Sequence, residues 1–209
     1  MAADPYEQLL ERMTTVAADD PRIVGLVLYG SRAAGTADAY SDMDVGVIST
    51  DAAVEEVIRD RAALIGRVGE PLFLEDFGEP ANAHVILADG VAFEFIVRAI
   101  GKVVDDGPHR IVLDKNGHLA VALARKAEPD VVASSDEEVR KLIHYFWHEV
   151  EHVVTALGRQ QLTWAHGGLE EMRGICLRLG RINAGAEPED EEPYWKVDGA
   201  LDEAFLVRL

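Results

Sequence analysis

The chain is poor in cysteine, in basic residues and in long apolar runs, and each shortage removes a class of function. Cys176 is the single cysteine among 209 residues. No intrachain disulfide can therefore form, and a zinc site built on several cysteines is excluded. Lys plus Arg number 20 against 38 Asp plus Glu, a net charge of −18. The deficit is general: residues 1–130 hold 12 basic and 23 acidic side chains, and residues 131–209 hold 8 and 15. Nucleic-acid binding by phosphate neutralisation needs clustered Lys and Arg. Neither half provides a cluster, so a nucleic-acid partner is not expected and a cationic one is favoured. No apolar stretch approaches the roughly 20 residues that span a bilayer. The start, MAADPYEQLLERM, lacks a basic segment leading into an apolar one. A cytoplasmic protein without a membrane partner is expected.

What is present reads as a globular chain, with 48% hydrophobic and 28% charged residues. Asp4-Pro5 opens a helix with a capping carboxylate and proline in its first turn. Leu9, Leu10, Met13, Val16 and Ala17 give that helix one apolar stripe. IVGLVLY (23–29) predicts a buried strand, Asp44–Ile48 a second, and PLFLEDF (71–77) a third. A helix is expected from about Ala52 to Val68, capped by Asp51. HVILA and VAFEFIVR flank Asp89-Gly90, which supplies the positive φ angles of a two-residue hairpin turn. Lys102–Val104 and Ile111–Leu113 are candidate edge strands, followed by a turn and short helix. Beyond Glu128-Pro129-Asp130 the pattern turns helical. Ser135 and Glu138 form a capping box. Val139, Leu142, Phe146, Val150, Val153 and Leu157 recur at helical spacing up to Gly158. A second helix is expected near 161–182, and EPEDEEP (187–193) reads as a solvated loop. The fold class is α+β: an N-terminal mixed sheet flanked by helices over 1–130, then a helical domain over 131–209.

The chemistry is concentrated in VLYGSRAAGTADAYSDMDVGVI (27–48). A strand ends at Gly30-Ser31, and a small-residue turn leads to Asp42 and Asp44 at the entry of the next strand. Side chains at i and i+2 of a strand share a face, so the two carboxylates point the same way. Like charges held that close need a cation, and oxygen-only ligands with open positions suit Mg²⁺. Gly30 and Ser31 offer backbone N–H groups and a hydroxyl to a phosphate.

Gly30, Ser31, Gly35, Asp42 and Asp44, in the pattern G-S-x3-G-x6-D-x-D, resemble the signature of the polymerase-β-like nucleotidyltransferase superfamily. The resemblance implies a metal-dependent enzyme that transfers a nucleoside monophosphate from ATP or another NTP and releases pyrophosphate. It implies one or two Mg²⁺ ions on Asp42 and Asp44, a phosphate cradle at Gly30 and Ser31 with Arg32 as an extra cation, and a third acidic residue on a later strand. Glu94 matches that third position, as general base or as a further ligand. It shares a face with Ala92 and Ile96, opposite Val91, Phe93, Phe95 and Val97. A glutamate in so apolar a strand is costly unless paired or bound to a metal.

A sheet domain followed by helices also resembles bacterial nucleotidyltransferases of aminoglycosides and lincosamides. Their acceptor is a small molecule, here expected to be cationic. On the 136–157 helix Lys141 is placed near phosphate, and Glu149 or Glu151 near an ammonium or hydroxyl of the acceptor. His144, His148 and His152 recur every four residues and read as surface histidines. Trp147 and Trp164 read as core or interface aromatics. Two alternatives share the scaffold: adenylylation of a protein partner, as in antitoxin-like nucleotidyltransferases, and a non-catalytic binding protein. The presence of Asp42, Asp44 and Glu94 argues against the second.

Overall fold

A computed structural model describes residues 4–38, 40–126, 136–186 and 193–209. The chain divides into two compact units, Met1–Pro129 and Asp130–Leu209. Among the described residues no helix is long and apolar enough to cross a membrane.

The first unit is built on a mixed six-stranded sheet. Its strands are β1 (Ile23–Tyr29), β2 (Asp44–Ser49), β3 (Pro71–Glu75), β4 (Asn82–Leu87), β5 (Ala92–Ala99) and β6 (His109–Asp114), in spatial order β3-β4-β5-β2-β1-β6. The β2–β5 ladder is parallel and the others are antiparallel. Helix α1 (Pro5–Asp19) starts as its sequence predicts, with the Asp4 carboxylate accepting from the Tyr6 N–H at 2.9 Å. Its stripe of Leu9, Leu10, Met13, Val16 and Ala17 is buried against Leu26, Val45, Phe93 and Phe95 of the sheet. The opposite sheet face packs Val27 and Ile48 against Val103 and the short helix α5 (His118–Leu123). Between β1 and β2, α2 (Gly30–Ala34) forms one turn and ends at Gly35, in the left-handed region.

Several local expectations give way to longer-range partners. The helix expected over 52–68 is two helices, α3 (Val54–Arg59) and α4 (Arg61–Val68), interrupted at Asp60. Asp60 is held by Arg22, whose Nη1 lies 2.6 Å from its carboxylate. Asp51 caps neither helix; its Oδ1 accepts from the Gly101 N–H at 3.0 Å. Lys102–Val104 is not a strand, because Ile100–Lys102 winds into one 3-10 turn. The hairpin turn also departs from two residues. The Gly90 N–H donates to the Leu87 carbonyl and the Leu87 N–H to that of Val91. Within the turn only Gly90 takes a positive φ, +86°. The turn is therefore one residue longer than expected, with glycine in the bulge position.

In the second unit α6 (Asp136–Gly158) and α7 (Leu162–Ala184) pack as a helical pair, followed by α8 (Val197–Ala200) and α9 (Glu203–Leu206). The buried side of α6 carries Glu149, Val153 and Ala156, whereas Leu157 is exposed. Gly158 remains helical, and the left-handed residue after it is Gln160, φ +58°. Gly168 of α7 marks close approach: a Cβ there would stand 2.7 Å from Val153 Cγ2. Trp147 and Trp164 are exposed. The Ser135 capping position and residues 187–192 lie outside the described residues.

Candidate active site

Strand register brings the acidic residues together. Asp44 on β2 is the register partner of Glu94 on β5, and neighbouring strands run about 4.8 Å apart. In a parallel ladder such partners project from the same face, so the two carboxylates are neighbours although 50 positions separate them in sequence. Asp42 enters from the loop just before β2. One carboxylate oxygen of each of Asp42, Asp44 and Glu94 lies within 4.8 Å of the others. The alternation in β5 is as expected: Val91, Phe93, Phe95 and Val97 are buried, while Glu94 is partly open on the other face.

The turn after β1 is shaped for that cluster. Gly30 has φ +64°, and a Cβ on it would lie 2.2 Å from Asp44 Oδ2. Only glycine lets the backbone come so close to that carboxylate. Ser31 follows on the first turn of α2.

Arg32 has two tasks within reach. Its guanidinium donates to the carbonyls of Asp42 at 2.8 Å and Ser41 at 3.1 Å. It also lies 3.5 Å above the centre of the Tyr6 ring. It thus ties the Asp42 loop to α1, where its Nη1 also lies 3.7 Å from the Asp4 carboxylate. Asp38 tightens the same loop. Its Oδ1 accepts from the Tyr40 N–H at 2.8 Å and the Ser41 hydroxyl at 3.1 Å, and these bonds hold its carboxyl below the usual range. Behind Asp44, Tyr29 covers Gly46, and burial pushes its phenol above the ordinary value.

Sequence reasoning missed the neighbours of Glu94. His84 Nδ1 lies 3.3 Å from Glu94 Oε1, and the Asn82 amide donates to Oε2 at 3.4 Å. The signal was in the hairpin. A two-residue turn at Asp89-Gly90 would set His84 opposite Phe95; the extra turn residue shifts the register so that His84 pairs with Glu94. A one-residue slip exchanges the two faces of a strand, so the bulge puts an imidazole beside the carboxylate.

The candidate residues of the second unit lie on α6. Lys141 is exposed and pairs with Glu137 at 3.1 Å. Glu151 is exposed. Glu149 is buried, 7% accessible, with His152 Nδ1 at 3.4 Å.

Residues 5–197 match the streptomycin adenylyltransferase family. The chain belongs to that family. Membership makes it a nucleotidyltransferase of the adenylyltransferase kind, and the Gly30-Ser31 turn and the Asp42, Asp44 and Glu94 cluster all fall within the matched span. A solved structure similar to the chain is that of an aminoglycoside 6-adenyltransferase from Bacillus subtilis. It is 15% identical, with a TM-score of 0.36, over 96% of this chain and 77% of that one. No curated protein matches the chain.

Proposed function

We propose that the chain transfers AMP from ATP to a hydroxyl of a small cationic acceptor of the aminoglycoside class, releasing pyrophosphate. The observation that carries this reading is the three-carboxylate cluster set against the Gly30 turn, in a chain of the streptomycin adenylyltransferase family.

The donor set fits Mg²⁺: Asp42, Asp44 and Glu94 offer oxygen ligands alone, and a metal bridging substrate phosphates needs only a few protein ligands. Bound there, the ion would neutralise charge on the triphosphate and on the departing pyrophosphate. Gly30 N–H and the Ser31 hydroxyl receive the terminal phosphates, with the Arg32 charge beside them. Strand order supports a division of roles across the site. Gly30 follows β1, Asp44 opens β2, and Glu94 on β5 lies farthest from the phosphate turn. Glu94 accordingly faces the acceptor. The acceptor oxygen bonds to the α-phosphorus, the bond from that phosphorus to the bridging oxygen breaks, and the hydroxyl proton passes to Glu94.

The first unit is read as the catalytic domain and the helical unit as the acceptor-binding one. Lys141 supplies a further phosphate contact and Glu151 a carboxylate for an acceptor ammonium. Excess negative charge steers a cation toward the protein, an effect that salt weakens. The test is pyrophosphate release from ATP and Mg²⁺ across an aminoglycoside panel that includes streptomycin. Release is expected with at least one member, and its absence with every acceptor and every NTP would overturn the reading. Lys141→Ala should raise KM for ATP with little change in kcat.

A further inference from the structure

The turn His148-Glu149-Val150-Glu151-His152 on α6 carries a second constellation, independent of the carboxylate cluster. We propose that His148, Glu149 and His152 form a centre for a Zn²⁺-class ion, with three protein ligands and one open coordination position.

Residues four apart on a helix stand one above the other on the same face, and here the two imidazole centres are 4.2 Å apart. One ligand atom from each of His148, Glu149 and His152 lies within 4.8 Å of the others. From spacing alone these rings read as surface histidines; the structure sets the Glu149 carboxylate beside them. His152 Nδ1 and Glu149 Oε1 are 3.4 Å apart. Two ligands on one tetrahedral ion with bonds near 2.0–2.1 Å are separated by about 3.4 Å, so this pair already has the spacing of a shared ion.

Burial is the second observation. Glu149 is buried on the side of α6 that carries Val153 and Ala156, facing Gly168 of α7. Glu149 Oε2 would lie 3.5 Å from a Cβ at Gly168, ordinary contact distance, so the carboxylate sits close against α7. A buried carboxylate needs a cation, and a metal shared with two imidazoles supplies one. The rings are also held from outside: Tyr145 lies 6.2 Å from His148 and Trp164 lies 5.7 Å from His152. Such packing reduces the rotamer freedom lost on binding.

The chemistry separates the two centres. Imidazole nitrogen with one carboxylate favours Zn²⁺, Ni²⁺ or Cu²⁺, whereas an all-oxygen set favours Mg²⁺. The sequence spacing is that of helical His-Glu-x-x-His zinc sites. In those peptidases the glutamate acts as base; here Glu149 stands among the ligands, and no peptidase activity is inferred.

The experiment uses the untagged full chain, stripped with a chelator and titrated with Zn²⁺ against a chromogenic competitor, and separately with Co²⁺ while visible d–d absorption is followed. One equivalent is expected, with the intense bands of a four-coordinate Co²⁺ site. Asp42→Asn should retain that equivalent. His148→Ala should weaken it by at least about tenfold, since even outer-shell partners change metal affinity by that factor. His148 is exposed, so this variant should keep the native circular dichroism spectrum and melting temperature. His152→Ala and Glu149→Gln should weaken binding in the same direction. The proposal is overturned if the wild type binds no more Zn²⁺ than His148→Ala, or if Asp42→Asn removes the equivalent.

Discussion

Gly30→Ala and Gly35→Ala make a matched pair that separates backbone strain from damage to the site. Both glycines have positive φ, +64° and +72°. An L-residue in that region costs about 1–2 kcal/mol. That is roughly 3–6 °C in melting temperature for a unit of this size. The two differ in what a methyl group meets. At Gly35 nothing lies within 4 Å, whereas at Gly30 the new carbon stands 2.2 Å from Asp44 Oδ2. Ordinary contact needs about 1 Å more. The obstructing atom is the end of a rotatable side chain, so the clash is relieved by swinging the carboxylate aside, at small cost in stability. Displacement of about 1 Å at a reacting centre lowers turnover by about a hundredfold. Gly30→Ala should therefore melt close to Gly35→Ala while losing about two orders of magnitude in kcat. Pyrophosphate release reads the rate, and Mn²⁺ electron paramagnetic resonance reads metal affinity without any acceptor. The reasoning is refuted if Gly30→Ala keeps wild-type Mn²⁺ affinity and turnover, or if Gly35→Ala loses as much of both.

Asp42→Asn or Asp44→Asn should remove turnover and leave the fold intact, because each deletes a ligand and relieves like-charge repulsion in the metal-free protein; calorimetry alongside the rate assay checks both halves. Arg32→Ala should lower kcat about tenfold to a hundredfold by freeing the Asp42 loop. Arg32→Lys should rescue little of it, since an ammonium cannot reproduce the fork on two carbonyls together with stacking on Tyr6. The Arg22 guanidinium holds buried Asp20 below the ordinary carboxylate range. A carboxyl depressed in the folded state stabilises the protein fully above its unfolded value, about 3.9. That contribution is lost as pH falls from there through the folded value. Urea midpoints should thus differ between wild type and Asp20→Asn at pH 7 and converge on acidification. Arg22→Ala should cost about 1.5–3 kcal/mol at pH 7 by removing charged hydrogen bonds, with Lys115 and the backbone N–H of residue 22 still beside the Asp20 carboxylate.

Local signals carried far in this chain. Helix α1 with its Asp4 cap and the apolar alternation of β5 follow from residues within one turn or one strand. The Gly30 turn and the Asp42-x-Asp44 spacing are equally local, so this half of the site is legible. What local pattern could not supply came from partners distant in sequence. Asp51 looks like a helix cap but is used by Gly101, and the 52–68 helix breaks where Arg22 draws on Asp60. Arg32 looks like a free phosphate ligand until the carbonyls of Ser41 and Asp42 are seen around it. His84 reaches Glu94 because one glycine bulge shifts a register, and Gly168 lets α7 close on Val153 beside the buried Glu149. Pattern gives faces; strand order and helix pairing decide which faces meet.

The parallel β2–β5 ladder also governs when the cluster comes into being. Antiparallel neighbours can zip from a hairpin, but Asp44 and Glu94 are joined only after α3, α4, β3 and β4 have been laid between them. Closing so long a loop is entropically uphill until the sheet recompenses it. During synthesis Asp42 and Asp44 emerge well before Glu94, whose strand must pair with β2 to complete the cluster. A partly made chain therefore carries two of the three carboxylates without the third, and topology alone delays the cluster until β5 is in place.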